Sequence, residues 1–293
     1  MKLKSFRLGI NNPKTINFYT KILGMKLKNT FEHIKGTLSI LNFENQDYYL
    51  ELFQEKQNNL IKYAQKSDDN YWKHSLFIDD IQRVNTKIKE YNIPIGDPYQ
   101  FGDIGYLSHT KDIENHEIEF IQKTFKQNTV PSTPKKDYPL LENPVLGLLT
   151  IRTKDPIKSI QFYKDICGMK LHARMYVKRS NGFTLYFLGS PELTPPSLDI
   201  DALENREWMY QQNHLFIEIQ HYWGSEYDDN FILNHNHQGC QLVKFEGDLL
   251  ILKNKLLKRN IPFLEKENQQ ESKNEIHFSS VDNLKILATE YKN

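Results

Sequence analysis

The sequence predicts an α+β protein built from four similar strand–helix–strand units, arranged as two tandem halves. Three observations carry this reading. First, residues 16–27 and 160–171 align without a gap at an offset of 144, and eight of the twelve positions are identical: Ile16/Ile160, Phe18/Phe162, Tyr19/Tyr163, Ile22/Ile166, Gly24/Gly168, Met25/Met169, Lys26/Lys170 and Leu27/Leu171. Similarity at half the chain length points to duplication. Second, residues 129–139 contain Pro131, Pro134 and Pro139 with few apolar side chains, the composition of a linker. Third, short runs of alternating apolar residues recur on either side of amphipathic segments, as expected of mixed sheets covered by helices on one face. The expected organisation is a first domain over residues 1–126, a linker over 127–143, and a second domain over 144–293.

Taken in order, Phe6, Leu8 and Ile10 alternate as a strand does. Asn12 can cap a helix with Pro13 at its first position. Ile16, Phe18, Tyr19, Ile22 and Leu23 line one face of that helix, and Gly24 ends it. Strands are expected at 37–43 and 48–53. A second round has a strand at 72–78, a helix from about Asp80 to Tyr91 with Ile81, Val84 and Ile88 on one face, and strands at 106–110 and 117–121. The second half repeats the order: strand 148–153, helix 156–166, and strands 183–188 and 214–220. An insertion at 190–210, rich in proline and acidic residues, is expected to be an extended loop with a short helix. The last round has strand 240–245, helix 249–259, and strands 276–279 and 284–289.

Composition excludes several classes of function. Hydrophobic residues make up 39% of the 293, enough for a buried core, so a disordered chain is excluded. Lys and Arg number 38 against 37 Asp and Glu, and this balance lacks the basic footprint of a nucleic-acid binder. Only Cys167 and Cys240 are present, which rules out a disulfide framework or paired CxxC zinc sites. No apolar run approaches the roughly 20 residues of a membrane helix. The residues Met1–Ser5 lead directly into a strand pattern without an apolar signal core. A cytoplasmic protein with a small-molecule ligand, without nucleic-acid or membrane partners and compatible with a homodimer, is expected.

The segment Phe18-Tyr19-Thr20-Lys21-Ile22-Leu23-Gly24-Met25-Lys26-Leu27 resembles the first helix of glyoxalase I. Residues 185–188, 216–224 and 204–208 likewise look like glyoxalase segments. The pattern resembles the vicinal oxygen chelate superfamily, which includes glyoxalase I, bleomycin-resistance proteins and extradiol dioxygenases. The resemblance implies four βαβββ motifs, paired into curled sheet cups with helices outside, each cup able to hold a divalent metal such as Zn, Ni, Fe or Mn. In that superfamily the first strands of the motifs supply His or Gln ligands and the last strands supply Glu.

The last-strand positions here fall on Glu51, Glu119, Glu218 and Leu287, so three of four keep a carboxylate. The first-strand positions fall on Ser5, Lys73, Leu148 and Gln241, of which only Gln241 is an ordinary ligand type. His74, beside Lys73, shares the side of Leu76 and Ile78 by strand alternation, and a β-bulge is needed to turn it into the cup. The expected site therefore draws on Glu119 as the catalytic carboxylate, His74, Glu119, Glu218 and Glu51 as metal ligands, and Lys73 and Arg152 as ligand-binding cations. Arg152 is similar to the glyoxalase arginine that holds a ligand carboxylate, for which a guanidinium has bidentate geometry. A surface salt bridge is its plain alternative.

Pairing of motifs within a half groups Glu119 with Glu51. Pairing across halves groups it with Glu218. His214 shares a strand face with Glu218 but lies four residues, or roughly 13 Å, away. His235 and His237 are expected in a loop, and His109, His116 and His277 have no assigned partner. Two functional readings stay open: a metal-dependent glyoxalase-like lyase in which Glu119 moves a proton beside the metal, and a metal-free small-molecule binder with degenerate metal sites. An extradiol dioxygenase fits less well, because that chemistry uses two histidines and one carboxylate.

Overall fold

The structure, a computed structural model, describes residues 1–56, 63–130, 140, 142–179, 181–268 and 273–291. Four βαβββ motifs follow one another. The first contains β1 (Lys2–Ile10), α1 (Lys14–Asn17), β2 (Lys26–His33), β3 (Gly36–Asn42) and β4 (Tyr49–Glu55). The second contains β5 (Tyr71–Ile78), α2 (Ile81–Glu90), β6 (Tyr99–Phe101), β7 (Gly105–Lys111) and β8 (Glu117–Gln122). The third contains β9 (Val145–Thr153), α3 (Pro156–Asp165), β10 (Lys170–Val177), β11 (Phe183–Gly189), the inserted α4 (Glu204–Tyr210) and β12 (Phe216–Tyr222). The fourth contains β13 (Cys240–Glu246), α5 (Leu249–Lys258), β14 (Phe263–Asn268), β15 (Lys273–Ser279) and β16 (Lys285–Thr289). Most of the linker expected at 127–143 lies outside the described residues.

The helices begin and end where the local chemistry allows. Asn12 accepts a hydrogen bond from the Lys14 amide at 2.9 Å. Asp80 accepts from the Arg83 amide at 3.0 Å, Asp155 from the Ile157 and Lys158 amides, and Asp248 from the Ile251 amide. The first helix loosens into a π-helical turn at Phe18–Ile22, where a regular helix over the whole segment was expected. Gly24 and Gly168 close the equivalent helices at φ +78° and +70°, a left-handed turn that glycine makes without a Cβ penalty.

The described strands form two eight-stranded sheets, and each takes strands from both halves of the chain. One runs β14-β15-β16-β13-β1-β4-β3-β2, joining the fourth motif to the first. The other runs β10-β11-β12-β9-β5-β8-β7-β6, joining the third to the second. Of the two pairings the sequence left open, the cross-half pairing is the one formed. The joints are antiparallel ladders, β1 with β13 and β5 with β9.

The helix-covered faces of both sheets share one apolar core, which includes Phe6, Phe18, Tyr19, Leu76, Ile78, Tyr163, Ile217 and Phe245. Phe18 and Phe162 are equivalent buried anchors of this core. A second apolar cluster, with Phe77, Leu107, Ile121, Leu148, Met175, Leu185, Phe187 and Tyr210, lines the opposite, cup face of the second sheet. Phe77 packs tightly over Gly147 of β9, where a Cβ would meet its ring at 2.5 Å, so the two strands at this joint need the missing side chain.

Candidate active site

The central ladder of the second sheet brings the ionisable residues together. Lys73 of β5 stands opposite Thr150 of β9, and Thr150 stands opposite Glu218 of β12. On the other side, Ser75 of β5 stands opposite Glu119 of β8, and Glu119 opposite His109 of β7. Glu119 and Glu218 thus sit on strands three spacings apart, roughly 14 Å along a flat sheet. The curl of the cup brings both carboxylates onto one cation. The Lys73 ammonium bonds Glu119 directly and lies 3.6 Å from Glu218 Oε2. Ser75 Oγ donates to Glu119 Oε2 at 2.7 Å, His109 Nε2 lies 3.1 Å from Glu119 Oε1, and Thr150 Oγ1 donates to Glu218.

This cluster forms the floor of a cavity of about 260 Å³, walled by Trp72, Phe101, Leu107, Phe183, Leu185 and Tyr210, with Glu117 and Arg179 also on its surface. The inserted helix α4 supplies Tyr210, whose hydroxyl donates to the Ile104 carbonyl at 2.8 Å. A larger groove of about 640 Å³ lies elsewhere, lined by Tyr48, Ser190, Glu192 and His214 among others. It contains none of the converging carboxylates, so the chemistry assigns the site to the smaller cavity.

The electrostatics separate the two carboxylates. Burial works against charge on Lys73, but Glu119 and Glu218 outweigh it and hold its pKa above the ordinary lysine value. Burial also works against charge on Glu119, yet Lys73 and His109 hold its pKa well below the usual carboxylate range. Glu218 goes the other way. Burial raises its pKa, Lys73 offsets this only partly, and the neighbouring Glu119 charge raises it further. One carboxylate held ionised beside one biased toward its protonated form is an arrangement suited to acid–base chemistry.

Several expected site residues lie elsewhere. His74, expected as a metal ligand if a bulge turned it, faces the helix-covered core. The β5–β9 register is irregular between Tyr71 and Lys73, before His74, so Tyr71 joins His74 on that face instead. The ring is held by the Tyr19 and Tyr71 hydroxyls at 3.3 and 3.1 Å, and burial pushes its pKa down to about 3.

Glu51 belongs to the other sheet, where Ser5 Oγ donates to it at 2.6 Å and Arg7 bonds it through Nε at 2.9 Å and Nη2 at 2.7 Å. Arg152, expected to receive a ligand carboxylate, gives Nη1 to the backbone carbonyls of Lys66, Asp69 and Tyr71 and stacks 5.5 Å from the Trp72 ring, outside the cavity wall. It anchors the segment that leads into β5. Gln241 donates to the His237 carbonyl. His214 is engaged by Tyr48 and the Ser190 amide, and burial pushes its pKa down to about 3. His109 is the site residue that sequence reasoning missed. Its signal was the alternation of Leu107 and His109 on β7, combined with an antiparallel pairing to Glu119 on β8.

The donor set does not fit a divalent metal. An ammonium offers three donors and no lone pair, and Lys73 already spends its charge on both carboxylates. The equivalent first-strand position in the third motif is the apolar Leu148. Among the described residues, no three His, Cys, Asp or Glu side chains are grouped to hold a metal ion.

Comparison with known proteins completes this picture. Residues 11–120 match the model of the Glyoxalase/Bleomycin resistance protein/Dioxygenase superfamily. That segment is thus similar to the glyoxalase superfamily. The chain is 26% identical over 274 residues to glyoxalase I of Saccharomyces cerevisiae, covering 83% of this chain and 75% of that protein. It is 35% identical over 86 residues to lactoylglutathione lyase of Pseudomonas aeruginosa, covering 29% of this chain and 47% of that protein. The crystal structure of glyoxalase I from Zea mays shares the fold, with a TM-score of 0.71 at 18% identity over 99% of this chain and 92% of that one. No helix among the described residues is long and apolar enough to cross a membrane.

Proposed function

We propose that this glyoxalase-like chain binds a small organic molecule in the cup of the second sheet. The apolar part of the ligand lies against Trp72, Phe101, Phe183 and Leu185, and its polar end against Lys73, Glu119, Glu218 and His109. The observation that carries this reading is the convergence of four ionisable side chains at the floor of an otherwise apolar, aromatic-walled cavity, the usual composition of a ligand site. The cavity is just under the roughly 300–1,000 Å³ typical of such sites, so it suits a small ligand or the reactive end of a larger one. Glu218, whose pKa burial raises, is the group placed to exchange a proton, and Glu119, held ionised by Lys73 and His109, is placed to accept a hydrogen bond from the ligand.

A glyoxalase-like lyase is the second reading, favoured by the similarity to curated lactoylglutathione lyases. S-lactoylglutathione is therefore the first ligand to test, with its lactoyl end directed to the floor. The repeated halves, 1–126 and 144–293, are taken as units of duplication joined through 127–143.

Isothermal titration with S-lactoylglutathione tests the site. Saturable binding to the wild type, weakened at least tenfold by Leu185→Trp, which fills the cavity, supports it. Binding unaffected by Leu185→Trp places the ligand elsewhere.

A further inference from the structure

We infer that the Lys73 ammonium takes the place of a divalent metal ion, so that this cup works as a metal-free site kept metal-free by its own lysine. The inference concerns what balances the charge of the cup and holds whichever ligand binds there.

Two carboxylates, Glu119 and Glu218, and one imidazole, His109, are carried by three different strands to one point. Each carboxylate side chain is nearly fully buried, at 6% and 3% exposure. One nitrogen and two carboxylates are the ligand types a divalent transition metal takes, but with Lys73 between the carboxylates the described residues form no group that could hold one. Buried carboxylates in such proximity cannot both ionise without a cation between them. Here that cation is covalently part of the chain. Lys73 points into the cup because β5 alternates, with Lys73, Ser75 and Phe77 on one face and His74, Leu76 and Ile78 on the other. Its Nζ also lies over the Trp72 ring, 4.8 Å from the centroid, a cation–π contact beside the two carboxylates.

The same device appears in the other sheet. There Arg7, again a first-strand cation, neutralises Glu51, again a last-strand carboxylate. Each cup thus balances its retained carboxylate charge with a side chain of the strand beside it. In the second sheet the lysine both supplies the positive charge and repels a second cation.

The test is titration of the purified, EDTA-dialysed chain with Zn²⁺ and with Co²⁺, followed by calorimetry and by cobalt absorption, on the wild type, Glu119→Gln, Lys73→His, Lys73→Gln and Lys73→His/Glu119→Gln. The expected result is no stoichiometric uptake by the wild type. One equivalent should bind to Lys73→His or Lys73→Gln with affinity raised on the order of a hundredfold or more, since one opposing charge has been removed from the centre. The added Glu119→Gln should abolish it. Uptake of one equivalent by the wild type that is lost in Glu119→Gln overturns the inference. So does a folded Lys73→His or Lys73→Gln chain that takes up no metal. If neither lysine variant folds, the wild-type and Glu119→Gln titrations decide alone. Ligand binding to the wild type is read in a separate titration, so its failure leaves this result intact.

Discussion

Replacing Lys73 by methionine keeps most of the apolar stem and removes the charge from a site where that charge is nearly all buried. The Lys73 side chain is 4% exposed, bonds Glu119, and lies 3.6 Å from Glu218. Without it, Glu119 keeps, among the described residues, Ser75 and the partly exposed His109 as side-chain partners. Breaking a buried pair by deleting one member costs about 3–5 kcal/mol, because the other charge is left uncompensated. That is a large fraction of a stability on the order of 5–15 kcal/mol.

Adding Glu119→Gln to Lys73→Met should recover on the order of 1–3 kcal/mol of this loss. The pH dependence has a definite sign. In the wild type the Glu119 pKa lies below its unfolded value, so its contribution is present above the unfolded pKa and lost as pH falls through the folded one. In Lys73→Met the cation that lowered it is gone and burial raises it, so stability is greatest in acid and is lost as pH rises. The gap between the two proteins should therefore narrow from pH 7 toward pH 4. Urea denaturation followed by circular dichroism measures it. A loss below about 1 kcal/mol at pH 7, or a gap that does not change with pH, would refute the claim that this ion pair neutralises the cup.

Two further perturbations follow from the core and the joint between motifs. Phe18→Ala and Phe162→Ala should each cost about 3–5 kcal/mol in the same assay, since both rings are buried at equivalent positions, and a loss below about 1 kcal/mol at both would show that these helices are not docked on the sheets. Asp282, which accepts hydrogen bonds from Ser159, Thr153 and the Lys154 amide, has its pKa pushed up to about 6 by burial, against the pull of those donors. With the folded pKa raised, its contribution is full below about pH 4 and lost as pH rises through about 6, on the order of 3 kcal/mol. Asp282→Asn should flatten that slope, and an unchanged slope would assign the titration to another group.

The duplication, the four-motif order and the covered faces of the helices were legible in the sequence, because each is encoded locally. The repeat at residues 16–27 and 160–171 states the duplication directly. The capping residues Asp80, Asp155 and Asp248 state where helices start, since a cap involves groups only two or three residues apart. The strands that escaped notice, β2, β6, β10 and β14, are the four edge strands of the two sheets. Edge strands pair on one side only and tolerate charged and polar residues, as in Lys26, Lys28, Asn29, Thr30 and Glu32 of β2, so their apolar alternation is weak.

The candidate site divides along the same line. The family resemblance puts Glu119 and Glu218 at ligand positions, and period-two alternation turns Lys73 toward the cup, while His74 counts among the metal ligands only through a β-bulge that does not turn it there. Which motifs share a sheet did not follow, because that depends on long-range pairing between strands some 75 residues apart, such as Ser75 with Leu148. Only that pairing separates Glu51 from Glu119 and joins Glu218 to it. It also places His109 across the ladder from Glu119 and swings α4 over the cavity with Tyr210. Local periodicity sets which way a side chain points from its own strand. The curl and register of the assembled sheet set which side chains meet, and here they set an ammonium between two buried carboxylates.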